Sequence, residues 1–553
     1  MDLDLTRATR TGTGRSHWPR LIDAAFGAIV IIWSFHWFRV SEGEWFYLDD
    51  WRLLVQASAD DRFLEPYNRH LSVVILGVYR LLADLFGLGS YVPFRIAHLT
   101  SFGALAVAVY LLARQKVGAL IAAALATALL WSNFLDLQVA VFNHYLSLLG
   151  AVGCAWAIGR PSSRATNAAI AVSLGFALAA ASGGVPVAAA CVVSLVLVRP
   201  PRERVLAVVA PIGLWLGWMV IFGGDNGPHG APEADLRAGE SLARVLQGLF
   251  GTFQQLGFGS IVGASVLVVV FFARLVWLAD KRDKDMVAAL SWGAAVLVWW
   301  VGLVVSRKAG ADPNVFRYTF VPAVYLVLAM LPITDRREAL EMSTPETADR
   351  AVMAVVALCC WALVAATITR GNAETYERNR VANFAASARA ASATMLLDAA
   401  AVDGRAIGPV SLYHLTADEV RALAEQYPLG VGDSPEEVDA LLVELSRLTV
   451  SKDASGPACT ASSEKVSVAG TEDVPVLPAG VELQRTEPEA PIEAWIRSPS
   501  KESSVEVRRF GSSWIVVGSV PAGAGARLAL PAQLSKVPWQ VRAAGACITT
   551  DRP

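Results

Sequence analysis

Between residues 21 and 369 the sequence is a succession of apolar runs separated by short polar segments. A helix that crosses the hydrocarbon of a bilayer needs about 20 apolar residues, because about 30 Å must be covered at about 1.5 Å per residue. Of all residues 54% are hydrophobic and 17% charged, whereas a typical soluble domain has about 25% charged residues. The sequence therefore predicts a polytopic α-helical membrane protein.

The predicted spans number about eleven, and the ends of the apolar runs define them. A basic tail with four arginines, residues 1–20, precedes the first span and places the N-terminus in the cytoplasm. The tail leads into a long anchor without a small-residue cleavage site, so we do not expect a removed signal peptide. The spans lie near residues 21–39, 93–113, 117–132, 140–159, 166–181, 184–198, 205–222, 259–278, 287–306, 316–332 and 350–369.

The loops between these spans follow a charge rule. Every loop that the count places in the cytoplasm is basic, as cytoplasmic loops of membrane proteins usually are. The external loop at residues 223–240 is mainly acidic instead. Eleven is an odd number, so the soluble part at residues 371–553 is predicted to be extracytoplasmic. The cytoplasmic basic residues are Arg114, Lys116, Arg160, Arg164, Arg199, Arg202, Arg204, Lys281, Arg282, Lys284, Arg336 and Arg337.

This sidedness requires that residues 68–88 do not cross the membrane. The segment is apolar on one helical face but carries Arg69, His70, Arg80 and Asp84. Such a helix suits the interface better than the lipid interior. We therefore predict that residues 40–92 form one large external loop within a transmembrane domain of residues 21–370.

The soluble part consists of two regions with different sequence patterns. Residues 371–455 are predicted to be helical, since Thr416 and Ser434 each stand three residues before a glutamate, the pattern of a capping box. Residues 456–553 consist of short apolar runs punctuated by Gly and Pro, which predicts a small β-sandwich.

Two of the six cysteines, Cys459 and Cys547, lie outside the membrane part and bracket the β-rich region. An extracytoplasmic location permits a disulfide, so we predict that these two are paired. The other four lie within spans and are expected to be buried as small hydrophobic residues; they are Cys154, Cys191, Cys359 and Cys360. No Cys/His pattern indicates a metal site, and no basic block indicates a nucleic-acid partner.

A pair of carboxylates, Asp49 and Asp50, follows the first span in the run EWFYLDDWR. It can be a polar collar at the membrane surface, and the aromatic residues around it are typical of interfacial belts. Adjacent carboxylates at an apolar boundary repel each other, however, which raises one pKa unless a cation or a substrate compensates. An arrangement that costs free energy is a candidate functional site.

Further polar residues gather on the same predicted side of the membrane. His70 opens the interfacial helix, Arg95 begins the next span, and Asp136 and His144 surround the second external loop. A lone histidine of this kind is more often an interface anchor, but polar groups at membrane depth also tend to face a cavity. We therefore treat all four as candidate substrate-binding residues.

A third feature departs from the charge rule. Arg307, Lys308 and Arg317 lie in or beside a loop that is predicted to be external, where basic residues are otherwise scarce. Snorkelling to lipid headgroups accounts for them, and so does an anion site, because the planar fork of arginine binds two phosphate oxygens. Together the three features fit a lipid-linked phosphate substrate, with a carboxylate as general base and the cations stabilising the leaving phosphate.

At this point the sequence resembles a known family, the GT-C glycosyltransferases. The resemblance covers the whole membrane part: a cytoplasmic start, one span, a large external loop with an early acid pair and an interfacial helix, and a soluble domain after the last span. It implies that Asp49 or Asp50 is catalytic and that Arg95 matches an arginine of the family's second span.

Other positions follow the family pattern less closely. Arg317-Tyr318 resembles an Arg-Tyr pair before a late span, and Asp136 can match a second-loop acid. At residues 68–72 the family's His-Pro-Pro-Leu-like run is replaced by Asn-Arg-His-Leu-Ser. The missing prolines and the absence of a Trp-Trp-Asp-like motif argue against protein O-mannosylation and oligosaccharide transfer specifically.

The resemblance, with the Ala/Val/Arg-rich composition, implies a bacterial, actinobacterial-type protein of the plasma (inner) membrane. The donor would be a polyprenyl-phosphate monosaccharide and the acceptor a cell-envelope glycan, lipid or protein. A divalent cation, Mg²⁺ or Mn²⁺, can assist at the acid pair, although two carboxylates are too few ligands to predict one. The β domain either binds acceptor glycan or caps the entrance.

Two other classes of function remain open. A transporter or flippase of lipid-linked sugars would favour internal repeats and charges at the bilayer midplane, whereas here the charges gather at one surface. A non-enzymatic assembly factor would use the soluble domain to recruit partners.

Overall fold

The computed structural model describes the structure of part of the chain. The described residues are 18–42, 45–46, 49–67, 70–132, 139–223, 238–257, 260–281, 285–307, 316–331, 356–362, 364–365, 417–427, 450–453, 465–466, 474–475, 481–483, 492–498, 500–508, 514–530, 539–544 and 546–549.

Beside a described helical stretch at residues 356–362, we number fourteen α-helices of the described part in chain order. They are α1 Trp18–Val40, α2 Asp49–Ser58, α3 Val73–Phe86, α4 Val92–Lys116, α5 Ala119–Ser132, α6 Val139–Ile158, α7 Arg164–Ala180, α8 Gly184–Val198, α9 Arg202–Phe222, α10 Ala238–Leu256, α11 Ile261–Lys281, α12 Asp285–Arg307, α13 Phe316–Met330 and α14 Ala417–Gln426.

Two compact units make up the chain. The first comprises Met1–Glu42, Phe63–Ile75 and Arg95–Glu377, and the second comprises Gly43–Arg62, Leu76–Phe94 and Arg378–Pro553. The second unit thus combines most of the predicted first external loop with the C-terminal part.

The first unit is helical and apolar. Five of its described helical stretches are long and apolar enough to cross a membrane: Pro19–Val40, Val92–Lys116, Arg202–Phe222, Ile261–Ala279 and Asp285–Val305. Each coincides with a stretch for which the sequence predicts a span. Shorter apolar helices occupy four further predicted positions. The chain is therefore a mostly helical membrane protein, while the total of eleven spans stays a prediction.

The outer helices of this unit expose their apolar side chains. Val220 of α9 is 87% exposed, Leu214 of the same helix 78%, and Val262 of α11 73%. Soluble proteins rarely expose continuous apolar surface on this scale. Lipid is the environment in which such faces are stable.

Close helix packing in the first unit depends on small residues. A Cβ atom on Gly150 of α6 would lie 2.5 Å from the carbonyl oxygen of Ser173 in α7, so only glycine allows this approach. Helix α10, which the sequence does not predict, packs on α12 and α13. Its Thr252 hydroxyl accepts a hydrogen bond from the indole of Trp300, at 2.9 Å.

Cysteines 154 and 191 are buried, as the sequence predicts, whereas Cys359 and Cys360 are exposed. The expectation of burial is wrong for the latter two, because the helical segment that carries them turns that side outward. Cys459 lies outside the described residues, and of Cys547 the backbone alone is described, in a strand. The disulfide therefore stays a prediction.

The C-terminal region of the second unit contains ten described strands. They are β1 Val450–Asp453, β2 Lys465–Val466, β3 Val474–Pro475, β4 Val481–Leu483, β5 Ile492–Arg497, β6 Ser503–Arg508, β7 Ile515–Val520, β8 Gly525–Leu530, β9 Trp539–Ala543 and β10 Cys547–Thr549. The strand β1 begins before residue 456, within the stretch predicted to be helical.

Two four-stranded antiparallel sheets, ordered β1-β8-β5-β10 and β4-β9-β6-β7, share one apolar core. Side chains alternate between the two faces of a strand. Ala494 and Ile496 of β5 therefore meet Val505 and Val507 of β6 in this core. Strands β2 and β3 form a separate pair.

Candidate functional site

The two predicted acids begin helix α2. A carboxylate in the first turn interacts favourably with the positive end of the helix dipole. Successive residues of a helix project about 100° apart, and the two side chains accordingly have different surroundings. Asp50 is buried, at 2% exposure, whereas Asp49 is only partly buried. The structure thus separates a pair that the sequence leaves equivalent.

Two tyrosines hold the buried carboxylate. The hydroxyl of Tyr79, in α3, donates to Asp50 Oδ1 at 2.6 Å. The hydroxyl of Tyr91 lies 3.4 Å from both carboxylate oxygens. Hydrogen bonds to an ionised carboxylate favour the charged form. Burial, followed by the charge of Asp50, raises the pKa of Tyr79 well above its usual value, so this tyrosine remains a donor at neutral pH.

Aromatic rings pack beside the two tyrosines that hold this carboxylate. Phe46 meets Tyr91 edge-on with ring centroids 5.0 Å apart, and it meets Phe94 at 4.9 Å. Trp51 is fully buried and lies 5.2 Å from the ring of Trp45. The sequence suggests a membrane-surface belt for the aromatic residues around the acids. In the structure the described ones pack on each other.

Both His70 and Arg95 lie in the first unit, where each contacts a neighbouring segment. His70 pairs its backbone with Tyr67 in a tight bridge, with N–O distances of 2.9 and 3.0 Å. Arg95 is 6% exposed. Its guanidinium donates to the carbonyl of Ser41 and lies 4.2 Å from the centre of the Phe38 ring. Arg95 therefore ties the end of α1 to the start of α4.

Two more predicted residues pack against one tryptophan of α12. The ring of His144 meets Trp299 edge-on, 5.4 Å between centroids. Tyr318 is buried, and its carbonyl accepts a hydrogen bond of 2.8 Å from the Trp299 indole. These contacts connect α6, α12 and α13 within the first unit.

The predicted cation cluster lies mostly outside the described part. Arg307 ends α12 and Arg317 is the second residue of α13, but their side chains are not described. Lys308 and Asp136 fall outside the described residues altogether. The anion site therefore stays a prediction.

Among the described residues, no group of three or more His, Cys, Asp or Glu side chains could hold a metal ion. The acid pair offers two carboxylates that diverge along the helix, whereas Mg²⁺ demands near-octahedral oxygen ligands.

The two tyrosines are not among the site residues that the sequence predicts. Tyr79 has a recognisable signal, because it shares one buried face of α3 with Leu76 and Ala83. A tyrosine on the buried face of an amphipathic helix needs a partner for its hydroxyl. Tyr91 has no such periodic signal, since it stands just before α4.

Neither a family model nor a curated protein matches the sequence. Among solved structures, the crystal structure of ArnT from Cupriavidus metallidurans bound to undecaprenyl phosphate matches with 18% sequence identity and a TM-score of 0.42. The match covers 75% of this chain and 89% of that chain. That degree of similarity defines neither a family nor an activity for this chain.

Proposed function

We propose that the chain is a GT-C-type membrane glycosyltransferase. It would move a monosaccharide from a polyprenyl-phosphate donor to a cell-envelope glycan, lipid or protein acceptor on the extracytoplasmic side. The observation that carries the proposal is the acid helix α2, which buries Asp50 against two tyrosine hydroxyls and leaves Asp49 more open.

The burial of Asp50 favours a functional role for the acid pair over the role of a polar collar at the membrane surface. Removing a carboxylate from water costs several kcal/mol (about 1–3 kcal/mol even for a neutral polar group) unless hydrogen bonds replace the lost hydration. A collar at the membrane surface would keep its carboxylates hydrated. A carboxylate enclosed by Tyr79 and Tyr91 fixes the first turn of α2, and with it the direction of Asp49.

We assign the general base to Asp49. A base must reach the acceptor hydroxyl within about 3 Å, and Asp49 is the acid of the pair with solvent access. It would take the proton while the acceptor oxygen attacks the anomeric carbon. The bond from that carbon to the phosphate oxygen breaks, and the phosphate leaves with the electron pair. Arg307, Lys308 and Arg317 would stabilise its charge.

The purified protein in detergent provides the test, with a panel of radiolabelled polyprenyl-phosphate monosaccharides and cell-envelope extract as acceptor. We expect label transfer from at least one donor by the wild type and its loss in the double variant Asp49→Asn/Asp50→Asn. Asp60→Asn is the matched control, because Asp60 lies in the same loop with its side chain 84% exposed. Transfer from none of the donors, or full activity in the double variant, would contradict the proposal.

The membrane arrangement forms part of the same proposal. We propose a plasma (inner) membrane location, a cytoplasmic N-terminus, about eleven spans and a disulfide between Cys459 and Cys547. Helix α3 has 14 residues, which cover about 21 Å, less than the hydrocarbon thickness. The exposed Ser90, just before α4, reports the side on which this loop lies.

We expect Ser90→Cys to react with an impermeant thiol reagent added from outside intact cells. The exposed Cys359 and Cys360, and also Cys459 and Cys547, are first replaced by alanine, so that the external signal comes from position 90. Protection from the outside, with labelling after permeabilisation, would mean that residues 68–88 cross the membrane.

A further inference from the structure

Helix α14 of the C-terminal part packs against the acid helix α2. Val420 is fully buried, Leu423 is 1% exposed and Tyr427, directly after the helix, is 6% exposed. Their spacing of three and four residues places them on one helical face. Helix α2 in turn buries six of its ten residues. The helix that carries the acids is therefore enclosed in part by a segment more than 350 residues further along the chain.

One directional contact fixes this arrangement. The hydroxyl of Tyr427 donates to Asp84 Oδ1 at 2.6 Å. Asp84 belongs to α3, the same helix from which Tyr79 reaches Asp50. Helix α3 thus contacts the buried acid through one tyrosine and receives a C-terminal tyrosine five residues later. Burial and the bond to Asp84 raise the pKa of Tyr427 to about 12, so its hydroxyl stays protonated at neutral pH.

A second contact between the same segments is weaker. Arg62 and Glu419 form an ion pair with an N–O distance of 3.7 Å, and both side chains are partly exposed. Exposed pairs of this kind contribute little, roughly 0–1 kcal/mol. Tyr427 is therefore the contact whose loss should matter.

We propose that residues 417–427 hold the acid helix in place, with Tyr427 as a positioning residue that acts through Asp84. This inference rests on the proposed role of the acids of α2 in transfer. This role differs from the two roles considered for the C-terminal part on sequence grounds, which are binding of acceptor glycan and capping of the entrance. In both of those cases the acid helix would keep its position without Tyr427.

The consequence for activity follows from geometry. A general base displaced by about 1 Å can lose up to roughly 100-fold in rate, while substrate binding elsewhere is unaffected. We therefore expect Tyr427→Phe, which keeps the ring and removes one hydroxyl, to lower kcat about tenfold and to leave both KM values unchanged. Asp84→Asn alone should keep the wild-type kcat, because the amide oxygen can still accept the hydrogen bond from Tyr427.

The experiment combines steady-state kinetics with hydrogen exchange on the full chain in detergent. The amides of residues 49–58 should exchange faster in Tyr427→Phe than in wild type or in Asp84→Asn. Ser519→Ala is the matched control, since it also removes one hydroxyl, which bonds Glu502 at 2.6 Å on the exposed face of the sheets. It should change neither exchange in α2 nor kcat.

Unchanged exchange at residues 49–58 in Tyr427→Phe would overturn the inference, and so would an unchanged kcat in an active enzyme. A raised acceptor KM with unchanged kcat would indicate acceptor binding instead and would also overturn it. Hydrogen exchange can be measured without any sugar transfer. If the wild type transfers no sugar, the proposed function fails, but the exchange at residues 49–58 still tests whether Tyr427 positions α2.

Discussion

Helices α9 and α2 reverse the usual relation between polarity and burial. Helix α9 is almost wholly apolar, yet of its side chains only Arg204, Val208 and Trp218 are buried. Helix α2 begins with two carboxylates and buries six of its ten residues. The difference shows that two environments act on this chain. Lipid stabilises the exposed side chains of α9, whereas protein hydrogen bonds must replace water around α2.

The buried polar groups of α2 have those hydrogen bonds. Asp50 accepts from Tyr79, and the Gln56 side-chain amide donates to the carbonyl of Arg62 at 3.1 Å. A buried polar group without a partner costs about 1–3 kcal/mol. An apolar helix could be buried at this place without any hydrogen-bond partners. Stability alone therefore does not explain the carboxylates of α2, whereas a chemical role does.

The largest effect on stability should come from charge in the lipid-facing surface. We expect Leu214→Arg, near the middle of α9, to cost about 2.5–3.5 kcal/mol of insertion free energy and to reduce the yield of membrane-inserted protein. Val516→Arg is the matched control, because Val516 is 64% exposed on β7 and should change stability by less than about 0.5 kcal/mol. Equal yields of the two variants would mean that α9 faces water or protein.

A smaller effect is expected inside the acid site. Tyr79→Phe removes the closer hydrogen bond to Asp50 and should lower local stability by about 1–3 kcal/mol. Amide exchange across residues 49–58 measures that loss. Tyr91→Phe should have a weaker effect, because its hydroxyl lies 3.4 Å from the carboxylate. The reverse order would show that Tyr91 is the main support of the acid.

The smallest effect concerns the ionisation of Tyr427. Its pKa of about 12 lies above the unfolded value of about 10. The contact to Asp84 is therefore fully present below about pH 10 and is lost as the pH rises through 12. The difference in phenolate absorbance between wild type and Tyr427→Phe, followed as the pH is raised, should have its midpoint near pH 12. A midpoint near 10 would mean that this tyrosine is open to water.

Local requirements explain which parts of the fold the sequence predicts. Membrane spans can be predicted because a helix in lipid forms all its backbone hydrogen bonds internally and needs only a sufficiently long apolar run. The runs at residues 493–497 and 503–510 predict β5 and β6 because their apolar residues alternate. Helix α10 mixes glutamines and an arginine with its apolar residues. That pattern is not distinctive, so the sequence does not predict this helix.

Only part of the candidate site can be predicted from the sequence. Two adjacent carboxylates after a span stand out by themselves, but their partners are 29 and 41 residues away from Asp50. The contact from Tyr427 to Asp84 joins residues 343 positions apart. Such pairs depend on how distant segments pack, and no local periodicity encodes them.

The comparison of Asp49 with Asp50 tests the account most directly. Initial transfer rates from the active donor would be measured for Asp49→Asn and Asp50→Asn, with Asp60→Asn as control. Removing the general base should lower kcat of Asp49→Asn by about 100- to 10,000-fold. Asp50→Asn should keep more activity, because its amide oxygen can still accept from Tyr79. Full activity in Asp49→Asn would contradict the account.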